Sequence, residues 1–212
     1  KTARLYTDIG YFTADPEITS DVDAVFQQIA SLGRAKPKRA LLQSPFTLHN
    51  RMLAYIRRVR VAATAGRDAR IIVKLNALTD VPLIEALVDA ARAGARVDLL
   101  VRGACTLPGA IPGVADRIRV RSVVGRFLEH SRIIYFRWGS GAGAEAMYLS
   151  SADWMGRNMF GRIEVAWPVR DSALRQRVID ECLVPYLHDG QDAWDLRVDG
   201  SYERVGAAGP GA

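Results

Sequence analysis

The chain has 212 residues, 49% of them hydrophobic and 25% charged, which is ordinary for a globular protein and long enough for one α/β domain or a domain with an appendage. Lys and Arg number 29 against 23 Asp and Glu, a net charge of +6 that suits nucleic acid, nucleotides, polyanions or acidic membrane surfaces and equally a solvated basic face. Only Cys105 and Cys182 are present, with no CxxC and no Cys/His cluster, so a reduced pair is expected and a zinc site is not.

No apolar run approaches the roughly 20 residues that a membrane span needs. Lys1-Thr2-Ala3-Arg4 reads as mid-domain sequence, and the natural start is expected upstream.

Leu5, Thr7, Ile9 and Tyr11 alternate in a strand-like way up to an Asp15-Pro16 turn. Residues 21–31 then predict a short helix with Val22, Val25, Phe26 and Ile29 on one face. Leu41-Leu42 predicts a short buried strand, and residues 48–65 a helix carrying Leu48, Met52, Tyr55, Ile56 and Val59 at helical spacing. Residues 70–75 (strand), 81–93 (helix, closed by Gly94) and 96–101 (strand) form the pattern of a βαβ crossover with parallel neighbours. A Pro/Gly loop spans 105–113. Four closely spaced strands follow at 117–124, 131–138, 146–150 and 163–169.

Asp171-Ser172 caps a helix running to about Leu187, and 194–205 reads as a small hairpin around Asp199-Gly200. The fold class is therefore α/β, a mixed sheet with helices on its faces.

Chemistry is best sought among three histidines. His49 and His188 stand at predicted helix ends and read as capping or surface residues. His130 lies between Arg126 and Arg132 and beside Glu129, at the entry to an apolar strand. An imidazole with a reference pKa of about 6.5 serves as acid or base near neutrality, and flanking guanidiniums hold phosphate oxygens. A structural histidine at a strand start is the competing reading.

Lys74 and Asn76 close one predicted strand and Arg102-Gly103 the next. Ligands of open α/β sheets sit beyond the carboxyl ends of parallel strands, although long basic residues also cap strands without any ligand. Arg117, Arg119 and Arg121 fall on one face of a strand, as a polyanion groove or a solvated edge strand would have them. Ser150-Ser151-Ala152-Asp153-Trp154-Met155 ends another strand. With His130-Ser131-Arg132 it is similar to a degenerate phospholipase D superfamily motif, Arg132 standing for its lysine and Arg137 in the place of its aspartate.

Longer strings are more specific. Thr2-Ala3-Arg4-Leu5-Tyr6-Thr7-Asp8, Lys74-Leu75-Asn76, Val101-Arg102-Gly103, the run from Val124 to Ile133, the run from Ser150 to Met155, and Arg157-Asn158 stand in one order along nearly the whole chain. In these the chain resembles the polyphosphate kinase family, in its C-terminal catalytic part. The resemblance implies a phospholipase-D-like domain over 21–205 and the end of a preceding such domain over 1–20, while the tail 206–212 is expected to be flexible by its composition. It implies transfer of the ATP γ-phosphate to inorganic polyphosphate through a phosphohistidine that precedes this chain, so that the fragment alone is expected to be inactive.

Tyr6, Arg102 and His130 match nucleotide contacts, and His130 also matches a candidate acid or base. Lys74, Asn76, Arg126 and Arg132 are candidates for holding phosphate or polyphosphate. Mg2+ is expected with ATP, its ligands outside this chain. ATP or ADP and polyphosphate are the expected partners, without specific nucleic acid, in a cytoplasmic homo-oligomer lying at most at the periphery of the inner membrane. Arg60 stands where relatives carry an acidic residue and reads as a surface difference. Two readings compete: a phosphodiesterase of the phospholipase D kind, and a non-catalytic basic module that binds polyphosphate or nucleic acid.

Overall fold

The computed structural model of the protein describes residues 4–31, 37–114, 116–141 and 143–206. The chain begins with β1 (Tyr6–Thr7), α1 (Pro16–Ser31), β2 (Leu42–Ser44), α2 (Leu48–Thr64), β3 (Arg70–Leu75), α3 (Val81–Arg92) and β4 (Arg96–Val101). It continues with β5 (Ile118–Val123), β6 (Leu128–Glu129), β7 (Arg132–Arg137), β8 (Glu145–Ser150), α4 (Gly156–Phe160) and β9 (Glu164–Pro168). Last come α5 (Ser172–Cys182), α6 (Val184–Leu187), β10 (Ala193–Leu196) and β11 (Tyr202–Arg204).

Nine strands form one mixed sheet in the order β11-β10-β5-β4-β3-β7-β8-β9-β2, and β1 pairs with β6 in a separate two-stranded ribbon. β3, β4 and β5 are parallel, while β7 runs antiparallel to β3 with Lys74 opposite Ile133. The βαβ expectation holds because Asp80 caps α3 by accepting from the Leu83 amide at 3.1 Å, and Gly94, at φ +104°, ends it.

Period-two alternation along β3 divides the core. Ile71, Val73 and Leu75 pack with Met52, Ile56, Leu83 and Leu87 beneath α2 and α3. Ile72 points the other way, into a second cluster with Ile133, Leu149, Leu183 and Leu187 beneath α5 and α6. Burying each such side chain contributes about 1.5–3 kcal/mol. The α/β mixed sheet with helices on both faces is borne out.

Several elements differ from expectation. The alternation of residues 5–11 yields only the two-residue β1. Asp15-Pro16 is a helix start, not a turn that ends a strand: the Asp15 carboxylate accepts from the Glu17 amide at 2.9 Å, and proline suits the first helical position. The division expected at residue 20 therefore falls inside α1. The inward face of α1 carries Ile18, Asp21 and Val25, whereas Phe26 is 68% exposed and Val22 and Ile29 are also exposed. Asp21 turns inward because its carboxylate accepts three amides, those of Arg39, Ala40 and Leu41, at 2.7–2.9 Å.

The single helix expected up to Leu187 is interrupted at Leu183, two residues before Pro185, which cannot donate to a continuing helix. Cys105 and Cys182 are both free thiols. Thr2 and Ala3 of the opening motif, and residues 207–212 of the expected tail, lie outside the described residues. Among the described residues no helix is long and apolar enough to cross a membrane.

Candidate active site at the carboxyl edge of the sheet

The parallel strands β3 and β4 end at one edge, where the antiparallel β7 begins and β8 ends. Lys74 and Asn76 from β3, Arg102 from β4, His130 before β7 and Asp153 after β8 thus converge without any long loop having to reach them. Strand direction does the gathering.

One hydrogen-bond chain runs through most of these residues. Arg102 donates Nε and Nη2 to Asn76 Oδ1 at 3.1 and 2.9 Å. The Asn76 backbone N–H donates to Asp153 Oδ1 at 2.8 Å, and that carboxylate takes Arg132 through Nε at 3.2 Å and Nη2 at 3.1 Å. Arg132 Nη1 then reaches the His130 carbonyl at 3.1 Å. The His130 ring stacks on Tyr6 with centroids 4.6 Å apart and planes 22° apart.

Tyr6 is carried there by the β1–β6 ribbon, in which it pairs with Leu128, and the His130 amide donates to the Thr7 carbonyl at 2.9 Å. A guanidinium facing Asn76 fixes the amide oxygen toward it, which leaves Asn76 Nδ2 buried without a partner. His130 Nε2 is likewise buried and without a partner. Buried polar atoms in native proteins are nearly always satisfied, and among the described residues these two share their orphaned state with Asn158 Oδ1 and the Trp154 and Trp167 indole nitrogens. Gly103 completes the packing: a Cβ there would lie 2.7 Å from the Asn76 carbonyl oxygen, so only glycine lets β4 close against β3 at this point.

The remaining expected residues divide. Arg126 is exposed, its guanidinium 5.7 Å from the centroid of the Phe127 ring, and it makes no ion pair among the described residues. Arg132 is taken up by Asp153, as described. Lys74 is buried against Glu129, Ser131 and Tyr186 beside a small cleft that Arg102 and Val123 also line. Burial pulls the Lys74 ammonium below the ordinary lysine range, and the Glu129 carboxylate restores part of that. Burial would raise the Glu129 carboxyl, but the Tyr186 hydroxyl, Lys74 and the Thr7 side chain outweigh it and hold it below its usual value. Burial together with the neighbouring Glu129 carboxylate raises the Tyr186 phenol.

The arginine stripe is not a groove. Arg121 is buried with Nε 2.7 Å from Asp195 Oδ1 and donates to the Leu187 and Asp189 carbonyls, while Arg119 shares Asp195 at 3.3 Å. β10 pairs alongside β5, so this is an interior strand whose arginines cap α6. Arg137 lies at the far end of β7, 3.3 Å from Asp68. His49 is held by Asp80 at 3.0 Å, and Arg60 is half-exposed, 3.6 Å from Asp89. Among the described residues no three His, Cys, Asp or Glu side chains cluster as metal ligands. Glu129 and Asp153 at this edge are each already paired with a cation, so these two carboxylates do not fit a protein-held magnesium.

A family model described as polyphosphate kinase C-terminal domain 2 matches residues 41–211. The chain belongs to that family. Its relatives include polyphosphate kinases from Burkholderia cenocepacia (strain HI2424), 52% identical over 204 residues, and Paraburkholderia phytofirmans, 50% identical over the same length. Each alignment covers 96% of this chain and 29% of the relative, so the chain spans less than a third of those proteins. The crystal structure of polyphosphate kinase from Porphyromonas gingivalis is 34% identical with a TM-score of 0.83, covering 92% of this chain and 30% of that one.

Asp153, Glu129, Ser131 and Tyr186 are the functional neighbours that sequence reading did not assign. Asp153 stood in a singled-out string, but only the register of β8 against β7 brings it to Arg132. Nothing near Tyr186 in sequence signals its contact with Glu129.

Proposed function

We propose that this chain is the nucleotide-side part of a polyphosphate kinase, one that reversibly transfers the ATP γ-phosphate to inorganic polyphosphate. The phosphohistidine of that reaction belongs to sequence preceding this chain. The observation that carries the reading is the continuous network Arg102–Asn76–Asp153–Arg132–His130, ending on the Tyr6 stack, with Asn76 Nδ2 and His130 Nε2 left without partners.

Phosphoryl transfer demands charge stabilisation around the moving group and little further covalent work from the protein. Arg102, its plane fixed by Asn76, has Nη1 to offer a phosphate oxygen. Asn76 Nδ2 offers a neutral donor beside it. His130 Nε2 holds the proton that a departing phosphate oxygen takes up, and Tyr6 shields the ring and gives the nucleotide a face to stack on. Arg126, exposed at the rim, meets the polyphosphate chain. Asp153 neutralises Arg132 and makes it a strut for His130. Magnesium comes with the nucleotide. The assembled enzyme is a cytoplasmic homo-oligomer.

The test is His130→Ala in the full-length enzyme. Turnover should fall about 10²-fold or more, as loss of a general acid does, while the melting temperature stays within about 2 °C. Near-normal turnover with a clear loss of melting temperature would make His130 structural and overturn the proposal.

A further inference from the structure

Lys74 stands among the candidate phosphate ligands at the end of β3, yet its contacts assign it another task. Its side chain is 7% exposed. Nζ donates to Glu129 Oε2 at 3.2 Å and to Ser131 Oγ at 2.9 Å, and it lies 3.5 Å from the centroid of the Tyr186 ring. An ammonium has three donors and no acceptor. Two are committed here, and an aromatic face closes off the third direction, an arrangement that suits a desolvated cation.

The two side chains that Lys74 holds are the residues immediately before and after His130. Glu129 is fixed in turn by the Tyr186 hydroxyl at 2.6 Å and by the Thr7 side chain. Thr7 is the β1 partner of Glu129 in the ribbon that carries Tyr6. One buried ammonium therefore ties the core strand β3, helix α6 and both strands of the ribbon to the three-residue segment containing the imidazole.

We infer that Lys74 is a positioning residue: by bridging Glu129 and Ser131 it holds His130 stacked on Tyr6, and it does not itself touch phosphate. The consequence for the reaction rests on the reading of His130 as a phosphate contact; the positioning itself does not.

Two measurements on this chain separate those parts. In NMR spectra, the Cε1–H signal of His130 carries the ring current of Tyr6, with Tyr6→Ala giving the unstacked reference. Lys74→Met should move that signal most of the way to the reference while signals from α2 and α3 stay in place. Glu129→Gln, which keeps an acceptor for Tyr186 but loses the charge, should move it in the same direction by less. It also serves as the deciding variant should Lys74→Met fail to fold. A His130 signal that does not move in the folded variant overturns the inference.

The second measurement is a double-mutant cycle for ATP affinity. Lys74→Met should weaken binding about tenfold alone and less than about twofold in a His130→Ala background, since residues acting as one unit are non-additive. Equal losses in both backgrounds would mean direct contact with the nucleotide and would sink the positioning role. Absence of ATP binding by the unmutated chain would count against the function proposed above, and the NMR arm would still decide the role of Lys74.

Discussion

Replacing Arg121 by alanine separates a structural arginine from a binding one. Its side chain is 3% exposed, and its guanidinium makes contacts in every direction available to it. Nε and Nη2 grip Asp195 at 2.7 and 2.9 Å, and Nη1 donates to the Leu187 carbonyl at 2.8 Å and the Asp189 carbonyl at 3.0 Å. Truncation leaves the Asp195 carboxylate with Arg119 at 3.3 Å and takes this donor away from the Leu187 and Asp189 carbonyls. Breaking a fully buried pair costs about 3–5 kcal/mol. Asp195 is 29% exposed, so water recovers part of its solvation and the lower end applies, about 3 kcal/mol.

For a chain of this length each kcal/mol moves the melting temperature by about 2–4 °C, which gives a drop of about 6–12 °C. Thermal and urea unfolding followed by circular dichroism measure it, with polyphosphate affinity measured on the same preparation below the transition. Affinity should stay within about twofold of the unmutated chain. A stable Arg121→Ala protein that binds polyphosphate as poorly as Arg102→Ala would refute the assignment of the stripe to the fold.

Gly103→Ala should lower ATP affinity and cost about 1–3 kcal/mol of stability, because the added carbon meets the Asn76 carbonyl at 2.7 Å and pushes apart the Asn76–Arg102 pair; calorimetry and urea unfolding read both. The depressed Glu129 carboxyl contributes stability that is complete above its unfolded value near 4.5 and lost as pH falls through its lower folded value. Acid unfolding of Glu129→Gln should accordingly be shallower than that of the unmutated chain below about pH 4.5, and identical curves would remove Glu129 from the account. Polyphosphate affinity should fall steeply with salt through counterion release, and Arg102→Ala should reduce the slope of log K against log salt by about one.

The legible parts of the sequence were those in which one local rule dominates. β3, α3 and β4 were read almost to the residue, since two largely apolar strands and a helical pattern closed by Gly94 agree there. α1 was misread because its apolar stripe suggested one face, whereas the nest of three amides around the Asp21 carboxylate selects another. β6 was missed because a two-residue strand has no periodicity and exists through its pairing with β1. At the site, the ends of two adjacent strands were read as placing Lys74, Asn76 and Arg102 at one edge, and His130 joins them through the antiparallel start of β7, which spacing did not indicate. Sequence could not tell which cations remain open to a ligand. Arg132 and Lys74 are taken up by Asp153, just after β8, and by Glu129 of β6, and that partnership depends on register across strands that spacing along the chain does not specify.

The central claim is that the edge formed by Tyr6, Asn76, Arg102 and His130 receives the nucleotide. Titrating the isotope-labelled chain with ATP, while following the Asn76 side-chain amide and the His130 ring nitrogens, tests it most directly. The account predicts saturable movement of both sets of signals, abolished by Arg102→Ala and unaffected by Arg117→Ala, which removes an arginine paired with exposed Asp116. Signals that stay in place at saturating ATP, or that move equally in Arg102→Ala, would contradict it.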